Sequence, residues 1–236
     1  STGVTDALKE LTNQGKRHGG VHAAAGKLGA GAGDNVRLAL LGIVFKSKGL
    51  PEQYNQAQFV MWLKREGLLD AVEAELKAIG RSVAQELPHM YVSSHLAKAL
   101  LKARPEFANT DAEARLLIKA QFPQMADITN EQMVTAISEA LTTDGKFPLT
   151  LVVLDEVQQY IGTDADKAYK VQEITESLCK HFRGELLFVG TGQSALTGTP
   201  SLQLIKGRFP VEVMLGDWDV ENVTRQIILA KKPSVQ

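Results

Sequence analysis

Leu149–Leu154 (LTLVVL) is the segment that most restricts the fold. It is a short apolar run rich in β-branched residues, and Pro148 and Asp155-Glu156 bound it. A run of that length and composition predicts a strand buried on both faces, as in a parallel sheet. Val171, Ile174 and Leu178 follow at helical spacing, and the helix ends near Arg183-Gly184. A second apolar run, Glu185–Val189 (ELLFV), stops at Gly190-Thr191-Gly192. Strand, helix, strand at this spacing is the repeating unit of a parallel α/β sheet. Pro210–Leu215 reads as a further strand, and Val220, Val223 and Ile227 mark a last amphipathic helix.

The amino-terminal part fits the same sheet. Val4, Ala7, Leu8 and Leu11 predict an amphipathic helix, and Val21–Ala25 a buried strand. Gly26–Gly33 (GKLGAGAG) predicts a loop, with Asp34 or Asn35 capping a helix over Val36–Phe45. From Pro51 to about Thr143 the pattern is helical: Gln58–Glu66, Leu68–Ile79, Ser94–Ala103, Asp111–Gln121 and Asn130–Leu141. Thr110 with Glu113, and Thr129 with Gln132, have capping-box spacing. The expected architecture is an α/β core from residues 1–48 and 148–236, with an all-helical insertion over 49–147.

Composition narrows the functional classes. Lys plus Arg is 26 and Asp plus Glu 27, a net charge of −1 over 236 residues. That does not describe a general nucleic-acid binder, although a local basic patch remains open. Lys98, Lys102, Arg104, Arg115 and Lys119 on two predicted helices are the candidate patch, and a solvated helix face is the plainer reading. One cysteine, Cys179, excludes an intrachain disulfide and reads as a half-buried thiol in a reducing, cytoplasmic setting. The longest apolar run, Leu38–Phe45 (LALLGIVF), is far short of the ~20 residues of a membrane span. No signal peptide is expected.

Three features carry chemistry. The first is the strand end Leu154-Asp155-Glu156. Ligands of open parallel sheets bind outside the carboxyl ends of the strands. There Asp155 could hold Mg²⁺ directly or through water. Glu156 could orient or deprotonate an attacking water. The two acids could equally open the next helix, where negative charge favours the dipole. The second is Gly190-Thr191-Gly192-Gln193, where Thr191 or Gln193 could hydrogen-bond a water or a γ-phosphate. A Gly-permitted turn capped by Thr is the alternative. The third is Arg208 in Lys206-Gly207-Arg208-Phe209-Pro210, either an arginine finger for a neighbouring subunit or a surface charge lying over Phe209. His18 and His22 fall across a Gly-containing stretch and do not read as a metal pair.

The order of these features resembles that of an AAA-like P-loop ATPase downstream of its phosphate loop. LTLVVLDEVQQYIG resembles a Walker B strand, and FVGTGQSAL a sensor-1 strand. LIKGRFPVEVMLGDWDVENVTRQIILAKKP resembles an arginine-finger region with the helix after it. Together, about 149–233 resembles the P-loop ATPase family of BREX phage-exclusion systems (BrxC/PglY). DEVQQYIG, GTGQSAL, GRFP and Asp217-Trp218-Asp219 carry the resemblance, and the helical middle matches loosely. The resemblance implies an AAA/ORC-like P-loop NTPase core that couples ATP hydrolysis to assembly or remodelling on DNA in a bacterial antiviral defence complex. It implies ATP and Mg²⁺ as cofactors, with Asp155 supporting Mg²⁺ through water and Glu156 activating the attacking water. It implies Thr191 and Gln193 as γ-phosphate sensors. Arg208 would complete a neighbour's site, so a homo-oligomer is expected. Other defence proteins and DNA are the implied partners.

The phosphate loop G-x-x-x-x-G-K-[ST] is missing. Gly26-Lys27-Leu28 lacks the hydroxyl, Gly29–Gly33 lacks the Lys-Ser, and Gly190–Gly198 lacks a lysine. In this fold the loop leads into a helix and a strand, and Val4–Leu11 and Val21–Ala25 fit those places. The loop is then expected just before Ser1, and the chain by itself is expected to be inactive. The alternative is a non-catalytic ATPase-like scaffold, which could contact DNA through the helical insertion.

Overall fold

The apolar run Leu38–Phe45 is the middle of a helix buried on nearly every side. A computed structural model describes residues 2–28 and 35–192, together with Ile205, Gly207, Phe209, Val211 and Val213. Helix α1 spans Thr2–Gly15 and leads into strand β1, Val21–Lys27. Helix α2, Val36–Ser47, starts at Asn35, whose side chain accepts from the backbone N–H groups of Arg37 and Leu38. Six α-helices and two 3-10 turns, one of them at Pro105–Phe107, complete the amino-terminal two thirds. They are α3 (Tyr54–Arg65), α4 (Leu69–Lys77), α5 (Val83–Glu86), α6 (Ser94–Ala103), α7 (Asp111–Gln121) and α8 (Asn130–Leu141), with a 3-10 turn at Leu87–His89. Strand β2 is Leu149–Asp155, followed by the short α9 (Val157–Ile161), the long α10 (Ala165–Phe182) and strand β3 (Leu186–Gly190).

The strands form a parallel sheet in the order β1-β2-β3. Each crossover steps the same way across the sheet. Right-handed crossovers therefore deliver α2 and α10 to one face. These two helices contact each other, β1 and β3. The sheet residues that meet them, Ala24, Thr150, Val152, Leu154, Leu186 and Phe188, are buried. This corrects the expectation of a strand covered on both sides. Along β2 only alternate residues are buried, and Leu187 on the other face of β3 is 63% exposed. The stripe Val4, Leu8 and Leu11 of α1 is exposed too.

One hydrophobic cluster runs from the sheet through α2 into the helices, where Phe59, Trp62, Phe107 and Phe122 interlock. Arg37 ties the layers together. Its Nε donates to Asn130 Oδ1 of α8 (2.7 Å), and its guanidinium reaches Asp127 and Glu173 of α10. The α/β class, the three described strands and the principal helices agree with the sequence reading. Several details differ. Gly26 and Lys27 belong to β1 rather than to a loop. The Thr129–Gln132 capping box is complete, whereas Glu113 turns its carboxylate to Asn109 and leaves Thr110 a one-sided cap. Cys179 is exposed on α10 rather than half-buried. Of the predicted strand 210–215 only Val211 and Val213 are described, and both are exposed and outside any strand. The predicted last helix lies outside the described residues.

Close approach of α2 to β1 depends on Gly26. A methyl group there would come 2.8 Å from Ile43 Cγ1. Gly26→Ala should overpack this contact and cost about 1–3 kcal/mol, read as a lower urea midpoint with an unchanged slope.

A second prediction concerns Glu86, which is buried. Burial alone would raise its pKa, but hydrogen bonds from Ser93 and Arg81 outweigh it and hold the carboxyl below the usual range. A lowered folded-state pKa contributes stability above the unfolded value and loses it as pH falls through the folded value. Glu86→Gln should therefore destabilise most at neutral pH. Its urea midpoint should converge on that of the wild type below about pH 4.

Candidate functional site

The carboxyl ends of the three strands bring together residues far apart in the chain. Lys27 ends β1, Asp155 ends β2, and the two are direct neighbours in the parallel register. On the other side, Leu154 pairs with Gly190 of β3. The chain continues this ladder beyond the strand. Thr191 N–H donates to Leu154 O (2.9 Å), and Val157 N–H donates to Thr191 O (3.1 Å). These bonds aim the Thr191 hydroxyl at the acids. It donates to Asp155 Oδ1 at 2.5 Å, and it accepts from Glu156 N–H at 3.4 Å. Asp155, Glu156 and Thr191 thus come together at adjacent strand ends, Glu156 through its backbone N–H. Gln193 and Arg208 lie outside the described residues.

Glu156 occupies the residue between β2 and α9 with φ 54° and ψ 40°, the left-handed region. A side chain there costs roughly 1–2 kcal/mol. Its side chain does not cap α9. The expectation that Glu156 opens the next helix holds for its position only. Its carboxylate instead meets Lys27, with Nζ 2.7 Å from Oε2. The carboxylate is mostly enclosed, with 16% of the Glu156 side chain exposed against 55% for Lys27. The hydrogen bond and charge of Glu156 hold the Lys27 ammonium above its ordinary pKa.

Lys27 is the site residue that sequence reasoning misplaced. The glycines after it mark a loop, and only the strand register shows it level with Asp155. Its position just after a strand-like run was the available signal. An open groove of about 480 Å³ lies along β1 beside Lys27, floored by Leu38, Ile43, Tyr54 and Met125. It takes in neither acid.

The histidines do not converge. His18 pairs with Glu185, and His22 Nε2 lies 2.8 Å from Ser47 Oγ. Among the described residues no group of three or more His, Cys, Asp or Glu side chains could hold a metal. A divalent cation at the strand ends would therefore rest on Asp155 together with water or ligand oxygens, which suits a hard cation such as Mg²⁺. The basic face of the helical part is partly committed internally. Lys102 pairs with Glu75, and Arg104 with Glu66 and Glu106. No helix among the described residues is long and apolar enough to cross a membrane. No protein-family profile, curated protein or solved structure matches the chain significantly.

The strained backbone at Glu156 is measurable. Glu156→Gly and Glu156→Ala both remove the carboxylate and its pairing with Lys27, but only glycine adopts the left-handed conformation freely. The glycine variant should be the more stable of the two by about 1 kcal/mol, read as a higher thermal midpoint.

Proposed function

We propose that this chain is the nucleotide-responsive core of a P-loop-type ATPase, of the kind found in BREX-type defence complexes. The observation that carries this reading is the convergence of Asp155, Glu156 and Thr191 at adjacent parallel strand ends. An acid for a cation, an acid for water and a hydroxyl for phosphate are three of the parts such a reaction needs. The candidates Gln193 and Arg208 belong to the same proposal. So do an oligomeric assembly and protein or DNA partners.

On this reading each side chain has a defined task. Bound Mg²⁺ would supply charge neutralisation between phosphate oxygens. Asp155 Oδ1, fixed by the Thr191 hydroxyl, keeps its carboxylate in one orientation toward a cation. The Thr191 hydroxyl donates its one proton to Asp155, so it would sense a γ-phosphate by exchanging that acceptor for a phosphate oxygen. The Glu156 carboxylate accepts a proton from the attacking water, and Lys27 holds one of its two oxygens, Oε2. The enclosure of Glu156 reduces competition from bulk water.

A second reading, a non-catalytic ATPase-like scaffold, draws on the absence of G-x-x-x-x-G-K-[ST] from the sequence. Turnover separates the two. In the full-length gene product, Glu156→Gln and Asp155→Asn should each lower ATP hydrolysis by at least about 100-fold. Unchanged rates in both variants would overturn the catalytic reading, and an absence of ATP hydrolysis by the wild type would favour the scaffold.

A further inference from the structure

Strand β1 is an edge of the described sheet, and its last residues line the open groove of about 480 Å³. In a parallel ladder the N–H and C=O of one residue face the same way, and successive residues alternate. Gly20 O accepts from Leu149 N–H of β2, so His22, Ala24 and Gly26 also face β2. Ala25 and Lys27 therefore turn their backbone groups outward, and among the described residues nothing pairs with them. Helix α2 packs against both β1 and α3. The groove thus lies over α2, with Ala25–Lys27 at one side and Tyr54 and Asn55 of α3 at the other. Asn55 is only 9% exposed. The Tyr91 hydroxyl donates to Phe122 O at 2.6 Å, so its oxygen can only accept from Asn55, and the Asn55 carboxamide is fixed one way round. Asn55 Nδ2 donates to that oxygen at 2.6 Å and reaches Met90 Sδ at 3.8 Å. Both amide hydrogens are then in use, and Oδ1 is a buried acceptor with no donor among the described residues. Such an acceptor is costly unless something donates to it. The groove also holds two ammonium groups, Lys27 and Lys46, against one carboxylate, Glu52.

We infer that this groove docks an extended, acidic peptide segment of a partner protein, which adds as a strand to the free edge of β1. Ala25 and Lys27 present backbone donors and acceptors at the spacing that an added strand pairs with. The outer edge of that strand faces α3, where a peptide N–H can donate to Asn55 Oδ1. Between the two edges an apolar side chain of the peptide turns down onto Leu38, Ile43 and Met125. A carboxylate of the peptide matches the surplus ammonium at the rim. A small ligand could use Asn55 and the apolar floor, but it would leave the edge of β1 unpaired, whereas a strand uses all three features. The inference does not depend on ATP hydrolysis and holds equally for a non-catalytic scaffold.

The probe is a library of random peptides of about seven residues, the length of an ordinary strand, selected on the immobilised full chain. Enriched peptides should alternate apolar and polar residues and carry an acid. The best of them is then measured by fluorescence anisotropy. Methylating its backbone nitrogens one at a time should cost about tenfold in affinity at alternate positions, because only every second N–H faces β1. Ala25→Pro removes an outward N–H without touching the ladder to β2, so it should weaken binding at least about fivefold and shift the thermal midpoint by only a few degrees. Lys46→Glu should weaken binding about threefold or more, and about 1 M salt should abolish the difference. No enriched peptide, a methylation scan without alternation, or full affinity in a folded Ala25→Pro variant would each overturn the proposal. If Ala25→Pro does not fold, the methylation scan on the wild type decides alone. Wild-type dimers that Ala25→Pro dissociates, with no peptide enriched, would give the edge to a second copy of the chain and overturn a peptide partner.

Discussion

The structure depends on the burial of α2 between two unlike partners. One side of the helix lies on β1 through the contact of Ile43 with Gly26, and other sides meet α3, α8 and α10. A helix that is apolar nearly all round is stable only where every side is covered. That requirement binds the sheet and the helical segment into one hydrophobic cluster. Arg37 adds direction at the start of the helix. Its bonds to Asn130, Asp127 and Glu173 fix how α8 and α10 sit around it. Where the core is nonspecific grease, these polar bonds select one arrangement.

The same packing places the candidate site residues. Because α2 holds β1 against β2, Lys27 stands level with Asp155. Because α10 carries the chain back in parallel, Thr191 arrives on the other side of the same acids. None of these four residues is near another in sequence, apart from the Asp155-Glu156 pair itself. The sheet, rather than any loop, does the assembling. A site built on strand ends is held more firmly than one built on loops. The hydroxyl–carboxylate bond between Thr191 and Asp155 is an example, supported by backbone bonds on both sides of it.

Much of this was legible in the sequence, and the physical reasons are specific. Ser94–Ala103, Asp111–Gln121 and Asn130–Leu141 were readable to the residue, because each begins after a side chain that caps its first turn. The strand ending in Asp155-Glu156 was readable from a short β-branched run, and Thr191 from the glycines around it. What was not legible depends on register. Gly26 and Lys27 read as loop because glycine next to more glycine is ordinarily a turn. Here Gly26 is required by the proximity of Ile43, a tertiary demand that local composition does not express. The one-sided burial of β2 was hidden for a related reason. Its apolar residues alternate between two faces, and composition alone does not tell which face a helix covers.

The backbone at Glu156 bears on how such a site persists through sequence drift. Glycine, and to a lesser degree asparagine and aspartate, occupy the left-handed region more cheaply than glutamate does. Folding stability alone therefore pushes this position away from glutamate with every substitution it samples. A glutamate found there, φ 54°, is a residue held against that gradient. The strain is a cost that the rest of the fold carries here, as it does at Asp144 and Arg183, and of these three only Glu156 stands at the strand ends.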